Sequence, residues 1–245
     1  MTAVDSTLCS HYDRYYEGGA SEWRRLGALA KAENVLALCA PVPHASLLEI
    51  GAGEGALLAR LAELGFGQAL HAAEISESGV RAIGARGIPG LVECRRFDGE
   101  TLPWEDAGFD LALLSHVLEH AEHPRRLLAE AARVARCVFV EVPLEDSWRL
   151  PRDFRPDPVG HINFFHRRSL RRFVQTCGLE VLSERVAVPS REAMLFRSGR
   201  RGALAHGIKR LALRAAPALA TRFWTYHGAL LCRRPESLLP STLES

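Results

Sequence analysis

The sequence predicts an α/β fold built on a doubly wound, mostly parallel sheet. Three observations predict it. Apolar strand-like runs alternate with helical patterns from residue 45 to residue 142, the order that gives parallel strands joined by right-handed crossovers. One junction, Glu49-Ile-Gly51-Ala-Gly53-Glu-Gly55, is a glycine-rich turn between a buried strand and a helix. The run Phe109–Leu114 is apolar almost throughout, as expected of a central strand covered on both faces.

Taken in order, residues 1–40 form an N-terminal helical cover. The polar start carries Tyr12, Tyr15 and Tyr16 ahead of Gly18-Gly19. These tyrosines belong either to a disordered tail or to a lid, and Tyr12 and Tyr16 are candidates for contact with a substrate. Ser21 suits the cap of a helix from Glu22 to about Cys39, which Pro41 and Pro43 stop. Residues 41–245 form the α/β core. Its strands are expected over 45–50, 69–74, 91–97, 109–114 and 137–142, the last ended by Pro143. Helices are expected over 55–64, from Ser76 to about 84, and over 124–135.

Two excursions interrupt the later part. Residues 144–166 are irregular and rich in Pro, Asp, Arg and aromatics. A helix over 169–176, ended by Gly178, leads to a strand over 179–188. Residues 190–226 hold a helix from Gly202 to about Ala220 that places Leu204, Ile208, Leu211 and Ala215 on one face, an amphipathic pattern. Pro217 kinks or ends it. Residues 227–232 supply a last strand. Both excursions are expected on the substrate side.

Composition bounds the function. The 245 residues carry a net charge of +2, too near neutral to argue for a nucleic-acid partner. No apolar run is long enough to span a bilayer, and Met1–Ser10 lacks the basic and apolar regions of a signal peptide. The cysteines at 9, 39, 94, 137, 177 and 232 are scattered, without a C-x-x-C pair, which suits small buried hydrophobes in a reducing cytoplasm. Arginine pairs at 167-168 and 171-172 and the basic stretch 197–214 offer a surface for a membrane or an acidic carrier; a solvated basic face accounts for them more simply.

The glycine turn is built to hold a small molecule against bare backbone. Gly51-x-Gly53-x-x-Ala56 also satisfies a dinucleotide fingerprint, with Glu74 near the spacing of a ribose-binding acid. Glu49 argues otherwise. A carboxylate just ahead of the first glycine repels a diphosphate and accepts hydrogen bonds from an ammonium. Together with the early third glycine and with Asp98 after the third strand, it favours S-adenosylmethionine over a nicotinamide cofactor.

Here Glu49-Ile-Gly51-Ala-Gly53-Glu-Gly55 resembles the first motif of the class I S-adenosylmethionine-dependent methyltransferases. Phe109-Asp110-Leu-Ala-Leu-Leu-Ser115-His116-Val117-Leu118-Glu119-His120 is similar to that family's strand-four signature. Gly160-His161-Ile-Asn-Phe-Phe165, with Ser169-Leu170 and Cys177-Gly178-Leu179, resembles the later segment of its small-molecule branch. The resemblance spans about residues 45–185.

The resemblance implies a seven-stranded sheet whose last strand is a hairpin insertion. It implies that Gly51, Ala52, Gly53 and Gly55 wrap the methionine and ribose side, and that Glu74 takes the ribose hydroxyls. Ile75, Phe97, Asp98 and Gly99 would surround the adenine. Ser115, His116 and Val117 would sit where the sulfonium meets the acceptor, a small molecule that is free or carrier-bound. His116 and His161 are the candidate catalytic residues, and Phe164, like the two tyrosines, a candidate for substrate contact or cation–π support. S-adenosylhomocysteine is the expected product. An enzyme on the same fold that cyclises the cofactor itself, releasing methylthioadenosine, is the alternative; a nicotinamide-dependent oxidoreductase is a more distant one.

The string His116-Val-Leu-Glu119-His120 also spells H-x-x-E-H, seen in inverted zinc proteases. It begins at the end of a strand and runs towards Pro124, not along one helix face, so no metal site is expected. His120 is expected to bond backbone beneath the turn, and His123 and His166 to be surface or capping residues.

Overall fold

The computed structural model describes residues 22–150, 153 and 160–235. Helix α1 (Glu22–Cys39) precedes the repeating unit β1 (Ser46–Ile50), α2 (Ala56–Glu63), β2 (Ala69–Glu74), α3 (Glu77–Ala85) and β3 (Leu91–Arg96). Then come β4 (Phe109–Ser115), α4 (Pro124–Val134), β5 (Ala135–Leu144), α5 (Arg167–Thr176) and β6 (Glu180–Ala187). Helices α6 (Arg191–Ala215) and α7 (Pro217–Phe223) lead to β7 (Tyr226–Arg233). The seven strands form one sheet in the order β3-β2-β1-β4-β5-β7-β6. Strand β7 inserts antiparallel between β5 and β6, and the pairs from β3 to β5 are parallel. The fold is the Rossmann-like methyltransferase fold that the motifs implied.

Alternation along β4 shows how the sheet is held. Ala112 and Leu114 face a core shared with Leu127, Leu128 and Leu170. Leu111 and Leu113 face the opposite core, shared with Val35, Leu57, Leu58 and Leu61. A fully buried leucine contributes roughly 2 kcal/mol, so both helical layers are fixed to the central strand by side chains one residue apart. Asp110, the one charged residue of β4, joins its start to β1: Ser46 N–H donates to Asp110 Oδ2 and the Asp110 N–H to Ser46 Oγ, at 3.0 and 2.9 Å.

Two expectations fail in the second half. Pro143 does not end β5, which runs on to Leu144 with Pro143 paired to His227; a proline loses only its donor and still offers a carbonyl to the ladder. The helix expected from Gly202 begins instead at Arg191, where the Ser190 hydroxyl accepts the Ala193 N–H and donates to Leu26 O. It breaks at Gly199, whose φ is 57°. Beyond the break, a Cβ on Gly202 would lie 1.9 Å from Met194 O, so the second half packs on the first through its small residues. The apolar stripe therefore points outwards: Leu204 is 67% and Leu211 70% exposed. Pro217 opens α7 at its first turn.

Candidate active site

Strand order reverses at β1, whose neighbours β2 and β4 lead away in opposite directions. A crevice must open beyond the carboxyl ends of such strands, and here a cavity of about 1230 Å³ does. Its walls include Glu49 and the 51–54 turn after β1, Glu74 and Ile75 after β2, Phe97 and Gly99 after β3, and Ser115, His116 and Val117 after β4. Helix α1 runs across it with Trp23, Arg24 and Lys31, and α6 closes the far side with Met194, Arg197, Arg201 and Lys209.

The turn after β1 has the geometry its glycines permit. Gly51 and Gly53 have φ of 69° and 59°, the left-handed region that costs other residues about 1–2 kcal/mol. The Gly51 and Ala52 N–H groups donate to Ala73 O at 2.8 and 3.1 Å, and the Gly53 N–H to Glu74 Oε2 at 2.8 Å. Glu74 Oε1 accepts from the Ser76 N–H and hydroxyl. Gly79, which no motif pointed to, makes this contact possible: a Cβ there would lie 2.7 Å from both Glu74 Cγ and Gly53 O.

Glu49 differs from Glu74. It is 4% exposed, and its Oε2 is buried without a hydrogen-bond partner. Burial pushes its carboxyl up to about 8, against the downward pull of Lys31. A carboxylate oxygen left bare on a cavity wall fits a bound ammonium group.

Three candidates fall elsewhere. Gly55 lies behind the turn, where an added Cβ would be 2.9 Å from Ile88 Cδ1; its place is set by packing. Asp98 is exposed, and its Oδ1 accepts the Glu100 and Thr101 N–H groups at 2.8 and 2.6 Å. This Asx turn engages one carboxylate oxygen with the local backbone, and Phe97 and Gly99 line the cavity while Asp98 does not. Phe164 does not line the cavity. Tyr12 and Tyr16 lie outside the described residues.

The histidines gather at the ends of β4, β5 and β7. His116 has φ of 59°, rare for a residue with a side chain. Its N–H donates to Glu141 O at 2.8 Å, and its Nδ1 lies 3.2 Å from Glu119 Oε1. Burial lowers its pKa, which keeps the ring neutral. Glu119 is itself buried, which raises its pKa. His161 reaches the cavity on a loop pinned by the Ile162 and Asn163 N–H groups, both donating to Glu119 O. Its Nδ1 pairs with Glu145, which also lines the cavity. Nothing in the sequence linked those two residues. His120 Nδ1 lies 3.3 Å from Gly160 O, a backbone bond of the kind expected. His166 caps α5 by accepting the Ser169 N–H.

A second group was not foreseen. Glu141, fully buried, accepts from Asn34 Nδ2 at 2.6 Å and from the Ser115 hydroxyl at 2.8 Å. His227 Nδ1 lies 3.4 Å from it, and the rings of His227 and His116 meet edge to face at 4.5 Å. No helix among the described residues is long and apolar enough to cross a membrane.

Comparison with known proteins bears on the fold and the family. An uncharacterized protein of Methanocaldococcus jannaschii is 30% identical over 125 residues, 51% of this chain and 56% of that protein. The chain spans about half the length of the curated relatives it matches. Among solved structures, the [4+2]-cyclase SpnF superposes with a TM-score of 0.61 at 19% identity, covering 84% of this chain and 80% of the other. A Streptomyces coelicolor geranyl diphosphate C-methyltransferase, solved with Mg2+, geranyl diphosphate and S-adenosyl-L-homocysteine, gives 0.61 at 13% identity, covering 96% and 100%. Such identities speak for the fold. Residues 21–184 match the family model of a methyltransferase domain. The chain therefore belongs to the class I S-adenosylmethionine-dependent methyltransferase family.

Proposed function

We propose that the protein transfers a methyl group from S-adenosylmethionine to a small-molecule acceptor. The observation that carries the reading is the bare Glu49 oxygen beside a left-handed glycine turn at the strand-order switch. Bound S-adenosylmethionine supplies an activated sulfonium methyl, so the protein's task is to hold two reactants in line.

The chain's residues divide that task. Glu49 takes the ammonium, and the backbone of Gly51, Ala52 and Gly53 lies along the amino-acid end. Glu74 takes the ribose hydroxyls, its carboxylate already oriented by Gly53 and Ser76. Ile75 and Phe97 provide apolar faces for the adenine, and the turn that Asp98 braces gives its edge main-chain partners. Ser115, His116 and Val117 border the point of transfer. His161, held through Nδ1 by Glu145, is placed to accept a proton from an acceptor hydroxyl. A structural neighbour crystallised with S-adenosyl-L-homocysteine supports the cofactor assignment. Arg197, Arg201 and Lys209 of the α6 wall also line the cavity, and on this reading they border the acceptor.

Calorimetry with S-adenosylmethionine and S-adenosylhomocysteine tests the reading, and failure to bind either ends it. Incubation with cofactor alone then separates the two uses of the fold. Methylthioadenosine as product would mean that the cofactor itself is cyclised; its absence leaves methyl transfer.

A further inference from the structure

We propose that His116, Glu141 and His227 bind one divalent transition-metal ion on the cavity floor, beside the point of methyl transfer. The site's use rests on the function proposed above; its existence does not.

The three residues sit on or directly after different strands, and the register brings them together. His116 follows Ser115, which pairs with Glu141. His227 pairs with Pro143, two residues further along β5 and so on the same face as Glu141. One ligating atom from each lies within 4.8 Å of the other two. The H-x-x-E-H string contributes His116 alone.

The atoms are prepared as ligands. His116 Nε2 is buried without a hydrogen-bond partner, and the buried His227 Nδ1 has only Glu141, 3.4 Å away. Leaving a buried polar atom unpaired costs about 1–3 kcal/mol, and a metal ion would satisfy both nitrogens together with the carboxylate between them. The surrounding contacts suit this. A ligating imidazole usually directs its other nitrogen to a carboxylate or carbonyl, and His116 Nδ1 lies 3.2 Å from Glu119 Oε1. Glu141 is oriented by Asn34 and Ser115.

Two imidazoles and one carboxylate favour zinc, iron(II), cobalt(II) or nickel(II) over magnesium or calcium. Three protein ligands leave coordination positions open, and His116 and His227 both line the cavity. An acceptor oxygen entering there would be polarised by the ion, and its proton would pass to His161. Lys31, which acts electrostatically on both His116 and Glu141, opposes a cation and so weakens its binding.

The test titrates the chelator-stripped full chain with cobalt(II) alone, following visible absorption, with S-adenosylmethionine affinity measured separately by calorimetry. One equivalent with nitrogen-ligated bands is expected. His227→Ala and His116→Ala, each checked for native circular dichroism, should each weaken cobalt binding by ~100-fold. Absence of cobalt binding at millimolar concentration overturns the proposal and leaves a plain His227–Glu141 pair. Equal affinity in wild type and both variants also overturns it, since the ion would then lie elsewhere, as on Glu119, His120 and His161. Cofactor affinity, read independently, shows whether the cofactor assignment stands or falls apart from the metal.

Discussion

The Gly53 N–H donates to Glu74 at 2.8 Å, closing the turn after β1 onto the end of β2. The contact couples the backbone that would lie along the cofactor's amino-acid end to the acid that would hold its ribose. Gly53→Val puts a branched side chain at a φ of 59°, strained by about 1–3 kcal/mol. The same side chain stands on the cavity wall. Cofactor affinity should fall by ~100-fold or more, with a melting point a few degrees lower. Calorimetry decides; normal binding by this variant would place the pocket elsewhere.

Glu49 predicts a pH dependence whose sign can be worked out. Its folded pKa, about 8, lies above the ordinary value of 4.5. Between these values the folded state binds the extra proton, so stability falls as pH rises through this window. Glu49→Gln should therefore melt like wild type near pH 5 and above it near pH 9, without cofactor. Cofactor binding should show the opposite trend. Wild-type affinity should rise as pH climbs to about 8, because below that value binding must expel a proton. The glutamine variant should bind ~10-fold or more weakly and without that slope. A parallel slope in both proteins would assign the titration to another group.

The parts of this protein legible in its sequence are the local ones. The C-terminal end of α1 follows from Pro41 and Pro43, and the β1 turn from glycines whose φ and neighbours are fixed within a few residues. Strand-end position does not reveal that Asp98 Oδ1 is engaged by the N–H groups of its own turn. The outward stripe on α6 misled for a different reason: periodicity places Leu204, Ile208 and Leu211 on one face, but Gly202 against Met194 decides which face turns in. Long-range pairings were illegible. Asn34 meets Glu141 across 107 residues, and His161 meets Glu145 where Ile162 and Asn163 are bonded to Leu118, Glu119 and Ala121.

Glu145 pairs with His161, and under the proposed function its removal should reveal a positioning role. Glu145→Gln keeps the volume and removes the charge that holds Nδ1. With a hydroxyl acceptor, kcat should fall by roughly 10²-fold or more, while the affinity for S-adenosylmethionine stays within a factor of two or so. A matching loss of cofactor affinity would instead make Glu145 part of the cofactor site.

Glu54 holds α1 to the site. It is 2% exposed and pairs with Arg24 of α1 and, at 2.9 Å, with Arg86 after α3. Arg86 Nε also donates to Glu54 O at 2.7 Å. Glu54→Ala removes the buried carboxylate that both guanidiniums share, and breaking such a network costs on the order of 3 kcal/mol. That corresponds to a fall of ~6–12 °C in melting point. Arg24→Ala leaves the Arg86 pair intact, so its cost should be nearer ~1 kcal/mol. Its main effect should be kinetic. Because α1 crosses the cavity mouth with Trp23, Arg24 and Lys31, freeing its first turn should speed cofactor release and hydrogen exchange of α1 amides. Unchanged exchange in α1 together with an unchanged release rate would show that packing of Leu26, Val35 and Leu38, not the Arg24–Glu54 pair, keeps the helix over the site.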